Sequence, residues 1–326
     1  MKSDLFIRTD GSAEIGLGHL VRCMSLSSIL GKQFKITFFC REIPEQIEFE
    51  LKQHGILLKR ISQESSFFDQ LTEQSTVVLD GYSFDSDYQI KVYQKAGAVA
   101  CIDDLYDRDF YADLIINHAP GISKEQYSAQ PHTKFALGLE YVLLRPPFLK
   151  AASQLDETGK MKTDRLLICF GGSDSKNLTL RALNVVSDFN QFKKIIIITG
   201  SAYRFKNELL RKIKNDTNVE YYHALNAEEM ARAFLRSDIA IVPSSGILFE
   251  ALATGNIAIS GTYTDNQKDV YSGFKKLNAI VDAGEFSKQQ ISEAIQDIKN
   301  HKNKNKLIDG KSPERLRRIF QTIKRD

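Results

Sequence analysis

Short runs of Ile, Val, Leu and Phe recur along this chain, each followed by a stretch whose apolar residues fall at helical spacing. In the first half the runs cover residues 5–8, 36–40, 77–79, 98–102, 114–116 and 135–137. In the second they cover 166–170, 195–199, 219–222, 239–242, 257–259 and 279–281, and helical patterns such as 19–30, 44–54 and 87–95 lie between runs. Runs that are apolar at every position, with no polar alternation, belong inside a parallel sheet covered on both faces. The β-α-β-α alternation then predicts doubly wound α/β sheets.

At 326 residues the chain is long for one core and comfortable for two. The rhythm breaks once, at "LLRPPFLKAASQLDETGKMKTDR", where a Pro-Pro pair precedes a polar, small-residue stretch. This reads as a linker, 149–163, between two Rossmann-like domains, 1–148 and 164–311. The closing segment 312–326 reads as a capped helix: Ser312 as cap, Pro313 as first helical residue, and Leu316, Ile319, Phe320 and Ile323 as one apolar stripe. No sequence repeat relates the halves.

A hydrophobic content of 42% and a charged content of 26% are those of a soluble globular protein. A net charge of +3 gives no ground for a nucleic-acid partner. From Lys299 onward ten Lys/Arg face three Asp/Glu, so this tail carries +7 and the rest −4. It reads as a solvated helical face, with a phosphate-rich or membrane-surface partner as the alternative. The four cysteines are far apart with no CxxC pair, so neither a zinc site nor a dithiol is expected. Reduced buried thiols, the strand-like start and the absence of a long apolar run predict a cytoplasmic chain without membrane insertion. A monomer is the expectation.

Ligands of doubly wound sheets bind beyond the carboxyl ends of the strands, so the loops there carry the search. The first, "RTDGSAEIGLGHLVRC", has Gly11, Gly16 and Gly18 before a helix opening at His19. Val21 stands where a dinucleotide fingerprint needs its third glycine, and the Gly-Lys-Ser/Thr ending of a P-loop is missing. What remains is a helix amino terminus carrying an imidazole. Its partial positive charge disfavours imidazolium, so a neutral ring could accept a proton as general base; the alternative is a capping histidine. Asp10 could orient the ring or cap the loop.

In the second loop, "ICFGGSDSKNLTLRAL", Gly171-Gly172 turn the backbone, Ser173 or Asp174 caps the next helix, and amides there could hold a phosphate. The third, "IVPSSGILFEALATG", runs a strand into Ser244-Ser245-Gly246. Glu250 follows one turn on, placed to accept hydrogen bonds from a ribose diol; as an isolated feature it would be a surface residue. The fourth, "GTYTDNQKDVY", offers the amides of Asn266 and Gln267, or is a plain turn. Asp85-Ser86-Asp87 reads as a helix cap in preference to a metal-binding DxD pair. Asp103-Asp104 ends a strand on the same side, so one of them could line the site.

Taken together, "RTDGSAEIGLGHLVRC", "FGGSDSKNLT", "SSGILFEAL" and the Asn-Gln pair resemble PseG-type UDP-sugar hydrolases of pseudaminic acid biosynthesis. They are more distantly similar to MurG and SpsG. The resemblance implies a glycosyltransferase-B fold and hydrolysis of UDP-2,4-diacetamido-2,4,6-trideoxy-β-L-altropyranose. Water would attack the anomeric carbon with inversion, without metal or cofactor. It implies catalytic roles for His19 as general base, Tyr82 of "LDGYSFD" and Asn266. It also implies substrate contacts from Arg145, Glu250 and the glycine loops, with Asp10, Gly16, Gly18, Gly171, Gly172, Ser173, Ser245, Gly246 and Gln267 completing the expected site. The alternatives are a UDP-sugar glycosyltransferase and a non-catalytic nucleotide-sugar binding protein.

Overall fold

Each apolar run named above forms a strand in the computed structural model, which describes residues 2–12, 15–155, 163–301, 306–323 and 325. The chain divides into two units, Met1–Arg145 with Lys311–Asp326, and Pro146–Gly310. The first contains β1 (Ser3–Thr9), α1 (Gly18–Leu30), β2 (Phe34–Cys40), α2 (Glu45–Gln53), β3 (Leu57–Arg60), α3 (Ser65–Phe68) and β4 (Thr76–Asp80). It continues with α4 (Ser86–Tyr93), β5 (Ala98–Ile102), β6 (Asp109–Phe110), β7 (Leu114–Asn117), β8 (Ser128–Ala129) and β9 (Lys134–Leu137).

The second unit opens with α5 (Pro146–Gln154), β10 (Arg165–Cys169), α6 (Leu178–Val186), β11 (Lys194–Thr199), α7 (Lys206–Ile213) and β12 (Val219–His223). Then follow α8 (Ala227–Leu235), β13 (Ile239–Pro243), α9 (Gly246–Ala253), β14 (Ile257–Gly261), α10 (Lys268–Lys276), β15 (Ile280–Asp282) and α11 (Lys288–Asp297). The chain ends with α12 (Ser312–Phe320), which returns to the first unit.

The N-terminal sheet has seven parallel strands in the order β3-β2-β1-β4-β5-β7-β9. The C-terminal sheet has six, also parallel, in the order β12-β11-β10-β13-β14-β15. Both are doubly wound, and strand order reverses between β1 and β4 in one and between β10 and β13 in the other. All five residues of β4, β5, β13 and β14 are buried, as strands covered on both faces require. Phe39, Val77 and Ile115 anchor the N-terminal core, and Ile168, Ile241 and Phe286 the C-terminal one. Truncating one such side chain to alanine costs about 3 kcal/mol.

Three details differ from the sequence reading. Strand β3 escapes it because "LLKR" is an exposed edge whose Lys and Arg interrupt the apolar pattern, as charges on unpaired edges do. Residues 149–154 of the expected 149–163 linker are helical: Pro146-Pro147 open α5, where a missing N–H costs nothing, and Phe148 packs edge-on against Phe234. Residues 156–162 lie outside the described ones.

The third difference concerns α12. Ser312 is not its cap, since Lys311 holds that position; the Ser312 hydroxyl donates instead to the Val142 carbonyl at 2.8 Å. Leu316 and Phe320 are buried, and Arg317 donates to the Ile29 carbonyl. Arg325 stacks on Tyr93 and donates to the carbonyls of Tyr93 and Ala96. Arg317 and Arg325 of the basic tail therefore tie the chain end to the rest of the N-terminal unit. Residues 302–305, 324 and 326 of that tail lie outside the described ones.

Candidate active site

Parallel pairing puts Thr9, the last residue of β1, beside Asp80, the last residue of β4. The loop after β1 and the end of β4 therefore meet where strand order reverses, the usual ligand position in such sheets. The loop leads into α1, of which Gly18 is the first residue and His19 the second. On a helix, residues i, i+3 and i+4 share a face. His19, Arg22 and Cys23 have that spacing, and all three converge on Asp80.

His19 Nδ1 lies 2.7 Å from Asp80 Oδ1. Arg22 donates from Nε to Oδ2 at 2.7 Å and from Nη2 to Oδ1 at 2.6 Å, a bidentate fork. The Cys23 thiol donates to Oδ2 at 3.4 Å. Burial alone would raise the carboxyl's pKa, but Arg22 and His19 outweigh it and hold Asp80 at about 2. A carboxylate only accepts hydrogen bonds, so with the Nδ1 hydrogen directed to Asp80 the lone pair of a neutral ring lies on Nε2, while Arg22 Nη2, a donor, stands 3.0 Å from the same Nδ1. An aspartate that fixes an imidazole in this tautomer prepares Nε2 to take a proton.

Two further groups close the cluster. Arg22 Nη1 donates to Asp104 Oδ2 at 3.0 Å, and the Tyr82 hydroxyl donates to the same oxygen at 3.3 Å. The Tyr82 ring stands edge-on to the His19 ring, centroids 4.7 Å apart. A cavity of about 20 Å³, large enough for one water, is bordered by His19, Arg22, Tyr82 and Asp104. The other oxygen of Asp104 is buried without a hydrogen-bond partner among the described residues.

The structure thus joins His19 and Tyr82, and of the pair Asp103-Asp104 it brings Asp104 to them. It does not give Asp10 the task of orienting the ring. Asp10 accepts from the amides of Arg41 and Glu42 and from Arg8, so it caps the loop and ties it to the end of β2. Asp80 orients the ring instead. Asp80 ends a buried strand two places before Tyr82, and the pairing of β4 with β1 brings it to the imidazole. Gly16 adopts φ +87°, a conformation that favours glycine, and there is open space where a Cβ would stand at Gly16 and Gly18. Arg145 is half-buried at the end of the first unit. Asp85 accepts from the Tyr88 amide and caps α4, as expected.

In the C-terminal unit the loops after β10 and β13 flank the other reversal point. Gly171 has φ +86°, and its carbonyl and that of Gly172 accept from the amides of Gly200 and Ala202. A Cβ on Gly200 would come within 2.4 Å of the Gly172 backbone, so only glycine allows this approach. Asp174, not Ser173, caps α6: its carboxylate accepts from the amides of Leu178 and Thr179. The Leu178 and Thr179 amides at the start of α6 are therefore occupied.

At α9 the Ser245 amide donates to the Pro243 carbonyl, which removes it from the expected pair and leaves that of Gly246 at the helix start. The Ser244 and Ser260 hydroxyls bond to each other at 2.9 Å. Glu250 is not a surface residue; it is 4% exposed. Gln267 is buried, with its side-chain carbonyl accepting from the Tyr263 amide, so it shapes its own turn. Asn266 is exposed and accepts from the Thr264 hydroxyl.

No protein-family model matches the chain. An uncharacterised protein of Methanocaldococcus jannaschii is 24% identical over 83% of this chain, which spans only 58% of that relative's length. The spore coat polysaccharide biosynthesis protein SpsG of Bacillus subtilis is 26% identical over 97% of each chain. The UDP-2,4-diacetamido-2,4,6-trideoxy-β-L-altropyranose hydrolase of Campylobacter jejuni is 25% identical over 83% of this chain and 96% of its own.

Among solved structures, MurG of Acinetobacter baumannii matches with a TM-score of 0.63 at 12% identity, over 99% of both chains. The UDP-GlcNAc 2-epimerase of Methanocaldococcus jannaschii, solved with UDP-GlcNAc and UDP, matches with a TM-score of 0.62 at 14% identity, over 99% of this chain and 100% of its own. The fold is thus of the glycosyltransferase-B type, with two Rossmann-like domains. The resemblance first read from scattered loops extends along most of the sequence: this chain is similar to the PseG-type hydrolase and to SpsG.

Proposed function

We propose that this chain is an enzyme acting on UDP-sugars, and that it hydrolyses a UDP-linked diacetamido-trideoxy-altropyranose at the anomeric carbon. The observation that carries the reading is the 2.7 Å contact between His19 and a fully buried Asp80 at the reversal point of the N-terminal sheet. In this reading water approaches His19 Nε2 and loses a proton to it while its oxygen attacks the anomeric carbon. The bond from that carbon to the diphosphate oxygen breaks, its electron pair leaves with UDP, and the configuration inverts. Tyr82 packs against the base, while Arg145 and the amides of Gly172, Ser173 and Gly246 meet the charge that grows on the leaving group. Glu250 accepts from the ribose hydroxyls, and Asn266 contributes from the loop after β14. No divalent ion is assigned a part, and the protein acts without membrane insertion.

Support comes from the similarity to the Campylobacter hydrolase over 83% of the chain, together with a base geometry that suits proton abstraction. The test is UDP release followed by phosphorus and proton NMR, with chelator and no acceptor. UDP and free sugar in equal amounts are expected. Glu250→Gln should raise KM about 30-fold with little change in kcat, as loss of a charge-assisted hydrogen bond does. A second reading, transfer of the sugar to an acceptor, is favoured by the near full-length similarity to SpsG. Release that begins only when a sugar or lipid acceptor is added would replace hydrolysis with transfer.

A further inference from the structure

A bare carboxylate against an imidazole orients it but also draws a proton onto it, and a protonated ring is no base. Asp80 therefore poses a problem that the glycine loop and the helix terminus do not solve by themselves. Arg22 stands where a solution is needed. Its Nη2 is 3.0 Å from His19 Nδ1, while Asp80 Oδ1 is 2.7 Å away, so opposite charges act on the ring from nearly equal distances. The guanidinium uses two nitrogens on Asp80 and its third on Asp104, which in turn holds the Tyr82 hydroxyl. Tyr82 closes the circuit by packing edge-on against His19.

We propose that Arg22 is a positioning residue for the base: it neutralises Asp80 and ties it to Asp104, so that the carboxylate orients His19 without drawing a proton onto it. This rests on the reading of His19 as the general base. The ionisable groups around the ring are Arg22 and Cys23 on α1, Asp80 at the end of β4, and Tyr82 in the loop after it. Cys101 lies on β5, Asp103, Asp104 and Arg108 follow it, and His118 follows β7 within the field of Arg22, Asp80 and Asp104. Burial keeps Cys23 a neutral thiol and pushes Asp103 toward its neutral form. Burial and Arg22 keep His118 neutral near pH 7. Arg22, Arg108, Asp80 and Asp104 then supply the fixed charges, and changes in them have predictable signs.

The experiment is a pH titration of the His19 ring by nitrogen-detected NMR on the full chain without substrate, alongside the pH profile of kcat/KM for UDP release. Arg22→Met removes a positive charge, so the His19 midpoint and the acid limb of the profile should rise by about one pH unit or more. Arg22→Lys keeps the charge and should bring both back toward the parent value, while kcat stays lowered because the fork is lost. Asp104→Asn removes a negative charge and should move both the opposite way. If Arg22→Met does not fold, Asp104→Asn carries the test, because it leaves the Arg22–Asp80 fork in place. A midpoint unmoved in both variants, or moved in the same direction by both, overturns the proposal. Because the titration needs no substrate, shifts in the ring that the activity profile does not follow would count against His19 as the base and leave the charge balance standing.

Discussion

At the reversal point of the N-terminal sheet His19, Arg22, Asp80 and Asp104 form one ion-paired cluster, whereas the corresponding point of the C-terminal sheet is built from glycine backbone, paired serine hydroxyls and one buried glutamate. Both sheets run through the same order of strands up to that point. The architecture thus provides a place in each unit, and the residues at the strand ends decide what the place can do. Fixed charges suit proton movement, because they set where a hydrogen sits and hold it there. Backbone amides and a buried carboxylate suit the recognition of a diphosphate and a sugar diol, which need close backbone approach and a fixed acceptor.

If that division of labour is right, changes in the two units should have different kinetic signatures. The largest effect belongs to the charged cluster. His19→Ala should lower kcat for UDP release about 10³-fold with KM changed less than threefold, since it removes a proton acceptor and no ligand contact. The comparison breaks if KM carries the loss. Gly200→Ala probes the other unit without touching any candidate ligand-binding side chain. The new methyl meets the Gly172 backbone and must displace the glycine loop, so KM should rise roughly tenfold while kcat is largely kept. An unchanged KM would mean that the loop's position is immaterial to binding.

The smallest effect is on stability. Burial, and then Arg22, hold His118 at about 4, below its ordinary 6.5. A histidine kept neutral in the fold contributes stability that is present above pH 6.5 and lost as the pH falls toward 4, because the unfolded chain binds the proton first. Asp80, held at about 2, adds a second loss only as the pH falls below 4. Urea unfolding should therefore weaken by roughly 2 kcal/mol between pH 7 and pH 4, allowing for partial exposure of His118. His118→Gln should flatten that slope and leave the lower one. A slope that survives the substitution would place its origin elsewhere.

The strands of the two large sheets were legible because a covered parallel sheet writes itself as uninterrupted Ile, Val and Leu; the charged edge β3 escaped, as did the two-residue pair β6 and β8. The expected linker was misplaced in part because Pro-Pro followed by small residues is also how α5 begins. In the site, His19 and the glycine loops could be named from local pattern, and Tyr82 from the family resemblance. Asp80 and Arg22 could not, since their importance comes from a register between β1 and β4 that no single segment contains. The same limit applies to Gly200: which strand end the glycine loop rests on is decided by a contact distant in sequence.

The most direct test of the central assignment is hydrolysis in ¹⁸O-labelled water of the UDP-linked diacetamido-trideoxy-altropyranose, with the products separated and weighed by mass spectrometry. A base at His19 that activates water toward the anomeric carbon predicts one ¹⁸O on the released sugar and none on UDP, with both products formed about 10³-fold more slowly in His19→Ala. Label in the diphosphate, or release that persists unchanged in His19→Ala, would contradict it.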